Sequence, residues 1–155
     1  MFLSHTNIAR FRWPIDDPRL GDFAARIPRV NELAEQSDGF VWRFTGEFKP
    51  RGKELSWDDP LRFFNVSVWR DLGSLLTFVR LPQHVAMMQR RSEWIVPVEG
   101  PSSALWWIEE STRPDVGDAI RAISWIAVRG ETSVAFTARS PFSHQPPAGH
   151  SGSEH

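Results

Sequence analysis

The sequence contains no cysteine and no tyrosine, and each absence excludes a class of chemistry. Without cysteine, the chain has no disulfides, no thiolate metal ligands and no cysteine nucleophile. Without tyrosine, mechanisms that need a phenol as acid or base are excluded. The aromatic residues are instead 8 Trp and 11 Phe, whose flat apolar surfaces predict that tryptophan side chains line a small-molecule pocket.

Two further features that the sequence lacks bear on its partners. The formal net charge is −1, so no excess of basic residues attracts nucleic acid or acidic lipid. No apolar run approaches the roughly 20 residues that span a bilayer, and the first residues do not resemble a signal peptide. We therefore expect a cytoplasmic protein that binds neither nucleic acid nor membrane.

The size and composition predict one globular domain. The chain has 155 residues, of which 41% are hydrophobic and 24% charged. Residues 143–155 are rich in Ser, Gly, Pro and His, which predicts a disordered tail after a single folded domain at residues 1–142. The histidines of this tail are interpreted as solvated residues: His144, His150 and His155.

Apolar periodicity and turn residues predict an α+β domain with the order β-α-β-β-α-β-α-β. Its first six elements are the split βαβ arrangement of ferredoxin-like domains. The predicted strands are residues 3–13, 40–44, 62–69, 103–108 and 134–137. The predicted helices are residues 18–36 between an Asp17 cap and Gly39, a segment from Asp71, a segment from Pro82 to about residue 95, and a segment from Thr112 and Pro114 to Gly130.

A polar loop joins the second and third predicted strands. The strings Lys49-Pro50-Arg51-Gly52 and Asp58-Asp59-Pro60 predict turns within it. The acidic residues Glu54, Asp58 and Asp59 lack a histidine nearby, so we interpret them as a solvated turn and predict no metal site.

Several tryptophan-bearing and charged strings together resemble a bacterial domain-of-unknown-function family, number 3291, over about residues 3–142. That family is similar to the dimeric α+β barrels, which include the antibiotic-biosynthesis monooxygenases. The resemblance implies a homodimer in which two antiparallel sheets pack against each other, each with helices on one face, an extra C-terminal helix and a short strand. A pocket is implied between the sheet and the helices of each subunit. The matching strings are Asn7-Ile8-Ala9-Arg10, Asp16-Asp17-Pro18, Asn31-Glu32-Leu33-Ala34, Gly39-Phe40-Val41-Trp42-Arg43, Ser67-Val68-Trp69, His84, Arg90-Arg91, Glu93-Trp94, Leu105-Trp106-Trp107 and Ala135-Phe136-Thr137.

The same resemblance suggests a histidine for the chemistry. The monooxygenases carry a Ser-Pro-His-like string after the second helix, and Leu81-Pro82-Gln83-His84 stands at the matching place. Relatives that oxidise aromatic polyketides without a cofactor use Asn, Trp and often Tyr, so a chain without Tyr does not reproduce that mechanism whole. Other relatives on this fold bind haem through a histidine on a helix, which makes His84 a candidate haem ligand.

The spacing of His84, Met88, Arg91 and Ile95 predicts that they share one helix face and form a pocket wall. His84 is then a general base or an axial haem ligand, and Arg91 holds an anionic group. The alternatives are that His84 bonds the backbone near Pro82, and that Arg91 pairs with Glu93 or Asp58.

Two asparagines and three tryptophans complete the predicted site. Asn7 and Asn65 lie in the middle of strands, where Asn is disfavoured, so each either faces the pocket as a polar anchor or bonds a neighbouring loop. Trp42, Trp94 and Trp106 are predicted to line the pocket, and Trp69 and Trp107 to lie in the core or the dimer interface. His5 shares a face with Asn7 but lies near the strand start, which favours a peripheral position.

Three functional hypotheses follow. The first is an enzyme, monooxygenase-like or isomerase- or cyclase-like, that acts without a cofactor on a mostly apolar or aromatic metabolite, by oxygenation or by proton transfer with His84 as base. The second is a haem-binding enzyme with His84 as axial ligand. The third is a dimer that binds a ligand without turning it over.

Overall fold

The computed structural model describes residues 1–46 and 59–144. The turn predicted at Lys49-Pro50-Arg51-Gly52, the acidic Glu54 and Asp58, and residues 145–155 of the predicted tail lie outside the described residues. Within the described ranges, no helix combines the length and the apolar character that crossing a membrane requires.

The described chain contains five strands and four α-helices. The strands are β1 (Phe2–Phe11), β2 (Phe40–Arg43), β3 (Arg62–Trp69), β4 (Ile95–Val96) and β5 (Ser103–Ile108). The helices are α1 (Gly21–Glu35), α2 (Leu72–Val79), α3 (Pro82–Gln89) and α4 (Val116–Arg129), and short 3-10 helices occupy Pro18–Leu20 and Arg91–Glu93. The Asp17 side chain accepts a hydrogen bond from the Arg19 amide, which confirms the predicted cap ahead of Pro18.

The strands form one antiparallel sheet with β1 at its centre. β3 lies along one edge of β1 and β2 lies outside β3. The other edge of β1 is shared, because β5 pairs with the first half of the strand and β4 with Arg10 and Phe11. This arrangement confirms the predicted α+β class with an antiparallel, ferredoxin-like sheet.

Helices α1 and α2 cover the face of the sheet that carries the odd-numbered residues of β1. Leu3 on β1 packs there with Trp69 on β3 and with Ala34, Leu75 and Phe78 on the helices. Side chains alternate between the faces of a strand, so His5 and Asn7 point to the same side as Leu3. The polar side chains of β1 and β3 that meet these helices are therefore those on the same face of the sheet as Leu3.

Helix α4 packs on the opposite face. Ala122 and Ile123 of α4 lie against Ile8 and Ala104 of the sheet, and these residues are all buried. Ser4 and Thr6, on the same face of β1, are also wholly buried. A second sheet would need this face in the homodimer that the resemblance implies, whereas here α4 occupies it within the chain. The homodimer therefore stays a prediction.

The helix predicted from Pro82 to about residue 95 is too long. It ends at Gln89, and a 3-10 turn then leads into β4. The Arg12 amide donates to the Trp94 carbonyl at 2.9 Å, and Ile95 pairs with Phe11. The apolar residues after Gln89 keep helical spacing in the sequence. Burial of Trp94 and pairing of β4 with β1 nevertheless stabilise the turn more than a longer helix would be stabilised.

The predicted strand at residues 134–137 is also wrong. Within the described residues it is reduced to one bridge, in which Leu105 and Phe136 exchange backbone hydrogen bonds of 2.7 and 3.0 Å. The segment still covers the outer edge of β5, and the Trp107 indole donates to the Phe142 carbonyl at 2.8 Å. The edge strand is thus protected without a further ladder.

Gly39 confirms the predicted left-handed cap after α1. Its φ is +82°, a conformation that residues with a Cβ rarely adopt. A Cβ at this position would lie 2.0 Å from the Ser74 hydroxyl oxygen, so the close approach also requires glycine. Ser74 is itself held by Asp71, which caps α2 with a 2.8 Å hydrogen bond to the Ser74 amide.

Candidate functional site

A cavity of about 390 Å³ lies between the sheet and helices α1, α2 and α3. Strands β1, β2 and β3 form its floor, and the helices form its walls. A volume of this size is within the range of pockets that bind small molecules. Its floor includes His5, Asn7, Asn65, Ser67 and Trp69, and its walls include Ile27, Val30, Asn31, Leu75, Phe78 and His84.

The strand register brings Asn7 and Asn65 side by side on the floor. They are direct partners in the β1–β3 ladder, and the Asn7 amide donates to the Asn65 side-chain oxygen at 3.2 Å. Within the described residues, the side-chain NH₂ groups of both asparagines have no protein acceptor. Asn65 is exposed at the cavity, with its side-chain oxygen bonded by the Asn7 backbone N–H and its NH₂ group available as a donor.

His84 lies on the wall above this floor. Pro82 begins α3, and the third residue of that helix places the imidazole edge-on against the Phe78 ring, with 5.1 Å between ring centroids. The Nδ1 atom is buried and has no hydrogen-bond partner in the described part of the chain. Burial lowers the pKa of His84 below its usual range, while the nearby Val79 backbone acts in the opposite direction. The imidazole is therefore neutral near pH 7.

A second imidazole, that of His5, lies on the floor of the same cavity. His5 is on the central strand, between Ser67 on β3 and Leu105 on β5. Burial, together with a smaller effect of the charge of nearby His84, lowers the pKa of His5 to about 4. The position of His5 near the start of the strand predicted a peripheral residue, and this prediction is wrong. The signal that could have found it was its shared face with Asn7.

Aromatic side chains form the apolar part of the cavity. Trp69 is 1% exposed and stacks on Phe78 at 5.3 Å, and Phe40 meets its edge at 5.4 Å. The Trp69 indole donates to the Ser67 hydroxyl at 2.9 Å. Trp69 is thus a core residue, as the sequence suggested, that also lines the cavity.

The two arginines that line the cavity are paired with carboxylates. Arg43 contacts Glu35 at 2.6 Å, and Arg62 lies 3.9 Å from Asp59. No carboxylate is found among the described lining residues, and no group of three or more His, Asp or Glu within those ranges could hold a metal ion. The charges among the described lining residues are therefore those of two arginines, each with a carboxylate nearby.

The structure does not bring Met88 and Arg91 to this cavity. Met88 is 46% exposed. Arg91 lies beyond the end of α3 and lines a separate cleft of about 180 Å³ beside Ile8 and Ile95. The predicted four-residue helix face is wrong because the helix ends at Gln89.

The three tryptophans predicted as pocket walls lie elsewhere. Trp94 is 3% exposed and packs on Phe23 under the Arg90 guanidinium, in the core beneath α1 and α3. Trp42 and Trp106 oppose Val68 and Ser4, so they lie on the α4 face of the sheet. Moving a strand by one residue exchanges the faces of all its side chains, and the sequence did not decide which face these tryptophans occupy.

Comparisons with solved structures show the fold. A Nitrosomonas europaea protein proposed to be an antibiotic biosynthesis monooxygenase is similar with a TM-score of 0.53 and 12% identity, covering 72% of this chain and 94% of that chain. A conserved protein from Methanosarcina mazei Go1 is similar with a TM-score of 0.52 and 13% identity, covering 70% and 94%. At such identities the similarity extends to the fold alone.

Sequence comparison identifies the family. No curated protein matches the chain. The sequence model of a domain of unknown function, DUF3291, matches residues 2–151, nearly the whole chain. The fold with its cavity under α1 and α2 is therefore that of a DUF3291 domain, and the chain belongs to the DUF3291 family.

Proposed function

We propose that the protein binds a small, mostly apolar or aromatic molecule in the cavity under α1 and α2, and removes a proton from it with His84 as base. The observation that carries this proposal is a neutral imidazole that lines the cavity above a floor with two asparagine side chains. Because Nδ1 of His84 is enclosed by protein, the ring meets a ligand in the cavity through its other nitrogen, Nε2.

The site has the parts that a proton transfer needs. His84 takes a proton from a C–H or O–H group of the ligand, and the electron pair moves to a ligand oxygen. The Asn65 NH₂ group lies on the floor to donate to that developing oxyanion. A positioned base of this kind accelerates proton transfer by about 10²–10⁴-fold.

Two reactions share this step. In an isomerisation or cyclisation, His84 returns the proton to another atom of the ligand. In a cofactor-independent oxygenation, the ligand anion gives electrons to dioxygen, which is then the second substrate. The fold similarity to a protein proposed to be an antibiotic biosynthesis monooxygenase supports the second reaction as one outcome to test.

A ligand screen followed by isotope analysis tests the proposal. Neutral aromatic compounds that raise the melting temperature are incubated with the protein in D₂O, with and without air, and analysed by mass spectrometry. We expect the recovered ligand to gain deuterium or oxygen with wild type and with His144→Gln, a histidine outside the cavity, but not with His84→Gln. Ligands that bind and return unchanged from the wild-type protein would instead favour the non-catalytic binding protein.

Haem binding through His84 is the alternative, and one observation favours it. A neutral imidazole that lines the cavity suits an axial ligand to iron. The cavity offers less to the haem propionates, because Arg43 and Arg62 already pair with Glu35 and Asp59. A Soret band that His84→Ala abolishes would support haem, and a colourless protein that does not bind added haemin would exclude it.

A further inference from the structure

We propose that His5 is a second ligand-binding residue, and that the ligand is an uncharged molecule whose hydroxyl or carbonyl groups reach both His5 and His84. The inference rests on the proposed function, because it concerns the same cavity. It goes further by assigning a role to a residue on the central strand and by limiting the charge of the ligand.

The position of His5 makes it a floor residue rather than a peripheral one. Its strand has β3 on one side and β5 on the other, and its neighbours on the same face are Leu3 and Asn7. Leu3 is wholly buried under the helices, so the cavity opens over the floor from His5 onward to Asn7 and Asn65. A ligand that lies on this floor contacts the imidazole.

The hydrogen bonding of His5 is incomplete. Its side chain is half-buried, lines the cavity and has no hydrogen-bond partner in the described part of the chain. A histidine buried for packing alone normally bonds a backbone or side-chain group. Both imidazoles of the cavity therefore have free hydrogen-bonding capacity that a ligand can use.

The lining residues favour an uncharged ligand. Each neutral imidazole offers one donor and one acceptor, and the two asparagine amides offer donors. The arginines at the cavity are engaged with Glu35 and Asp59, and no carboxylate is found among the described lining residues. Charged ligands lose hydration on entry, and the charges among the described lining residues are those of arginines already paired with carboxylates.

Binding of two matched probes tests the inference. The probes are 1-naphthol and its methyl ether, 1-methoxynaphthalene, in which a methyl group replaces the hydroxyl proton. Their dissociation constants are measured by calorimetry. We expect wild type to prefer the naphthol by about three- to tenfold, the effect of one net hydrogen bond. His5→Phe should abolish the preference, His5→Gln should retain part of it, and His144→Phe should leave it unchanged.

The outcomes separate the inference from the proposed function. A preference that survives in His5→Phe but is lost in His84→Phe overturns the role of His5 and leaves the proposed function standing. A wild-type protein that binds neither probe contradicts both. If His5→Phe does not fold, the ring resonances of His5 are followed by NMR in wild type. They should shift more with the naphthol than with the ether, and equal shifts with both probes would overturn the inference.

Discussion

Replacing Ile123 by alanine tests whether α4 covers the sheet in solution. Ile123 is 3% exposed and packs in one buried cluster with Ile8 and Ala104 of the sheet. Removing three buried carbon atoms from such a site costs about 2–5 kcal/mol, through lost transfer free energy and an unfilled cavity. A domain of this size has a free energy of unfolding of about 5–15 kcal/mol, so the loss is a large fraction of the whole.

Urea denaturation followed by tryptophan fluorescence measures the effect. If the free energy of unfolding falls by about 2 kcal/mol per molar urea, the denaturation midpoint should fall by about 1–2.5 M. Val128→Ala on the same helix is the control, because Val128 is 83% exposed and its loss should change the free energy of unfolding by no more than about 0.5 kcal/mol.

The same pair of variants bears on the predicted homodimer. If a second subunit displaces α4 and packs its own sheet on this face, Ile123 lies in solvent and its truncation costs no more than that of Val128. Equal midpoints for the two variants would therefore refute the place of α4 on the sheet. A large difference would mean that any homodimer uses another surface.

Three further predictions concern the turn, the helix start and pH. Gly39→Ala should lower the free energy of unfolding by about 2–4 kcal/mol, because the alanine would have a left-handed φ and would clash with Ser74. Gly100 also has a positive φ, of +76°, but open space lies around it, so Gly100→Ala should cost only about 1–2 kcal/mol. Urea denaturation measures both free energies. Asp115→Ala removes the capping box of α4 and should cost about 0.5–2 kcal/mol, measured by thermal melting; no change would exclude a stabilising cap. The pKa of His5 is about 4 in the folded chain and 6.5 in the unfolded chain. Between pH 6.5 and pH 4 the folded chain therefore binds fewer protons than the unfolded chain, and the free energy of unfolding falls as the pH falls. Between pH 7.5 and pH 5, His5 should account for about 2 kcal/mol of the loss in the free energy of unfolding. This contribution should be absent in His5→Phe and retained in His144→Phe. Equal acid sensitivity in both variants would contradict the buried neutral imidazole.

Much of the local structure could be predicted because it depends on short-range chemistry. Asp17 before Pro18 is a helix-start signal, and Gly39 meets a backbone requirement that few residues satisfy. Alternation in β1 and β3 placed His5 and Asn7 on one face. These features need only neighbours in the chain, so the sequence carries them in full.

The site itself depended on contacts between distant parts of the chain. The register makes Asn7 and Asn65 direct partners, and the central position of β1 puts His5 under His84 rather than at the edge. Helical spacing continued from His84 to Arg91, but pairing of β4 with β1 ended the helix and took Arg91 away.

The tryptophans show the same division. Composition alone predicted flat apolar walls for a pocket, and Trp69 provides one. Which face each tryptophan occupies was decided by strand parity and by α4, which covers Trp106 and its neighbours on the far side of the sheet. A side chain's type and its spacing are local properties of the sequence, whereas the face it shares with another strand is set only when the sheet and its helices pack together.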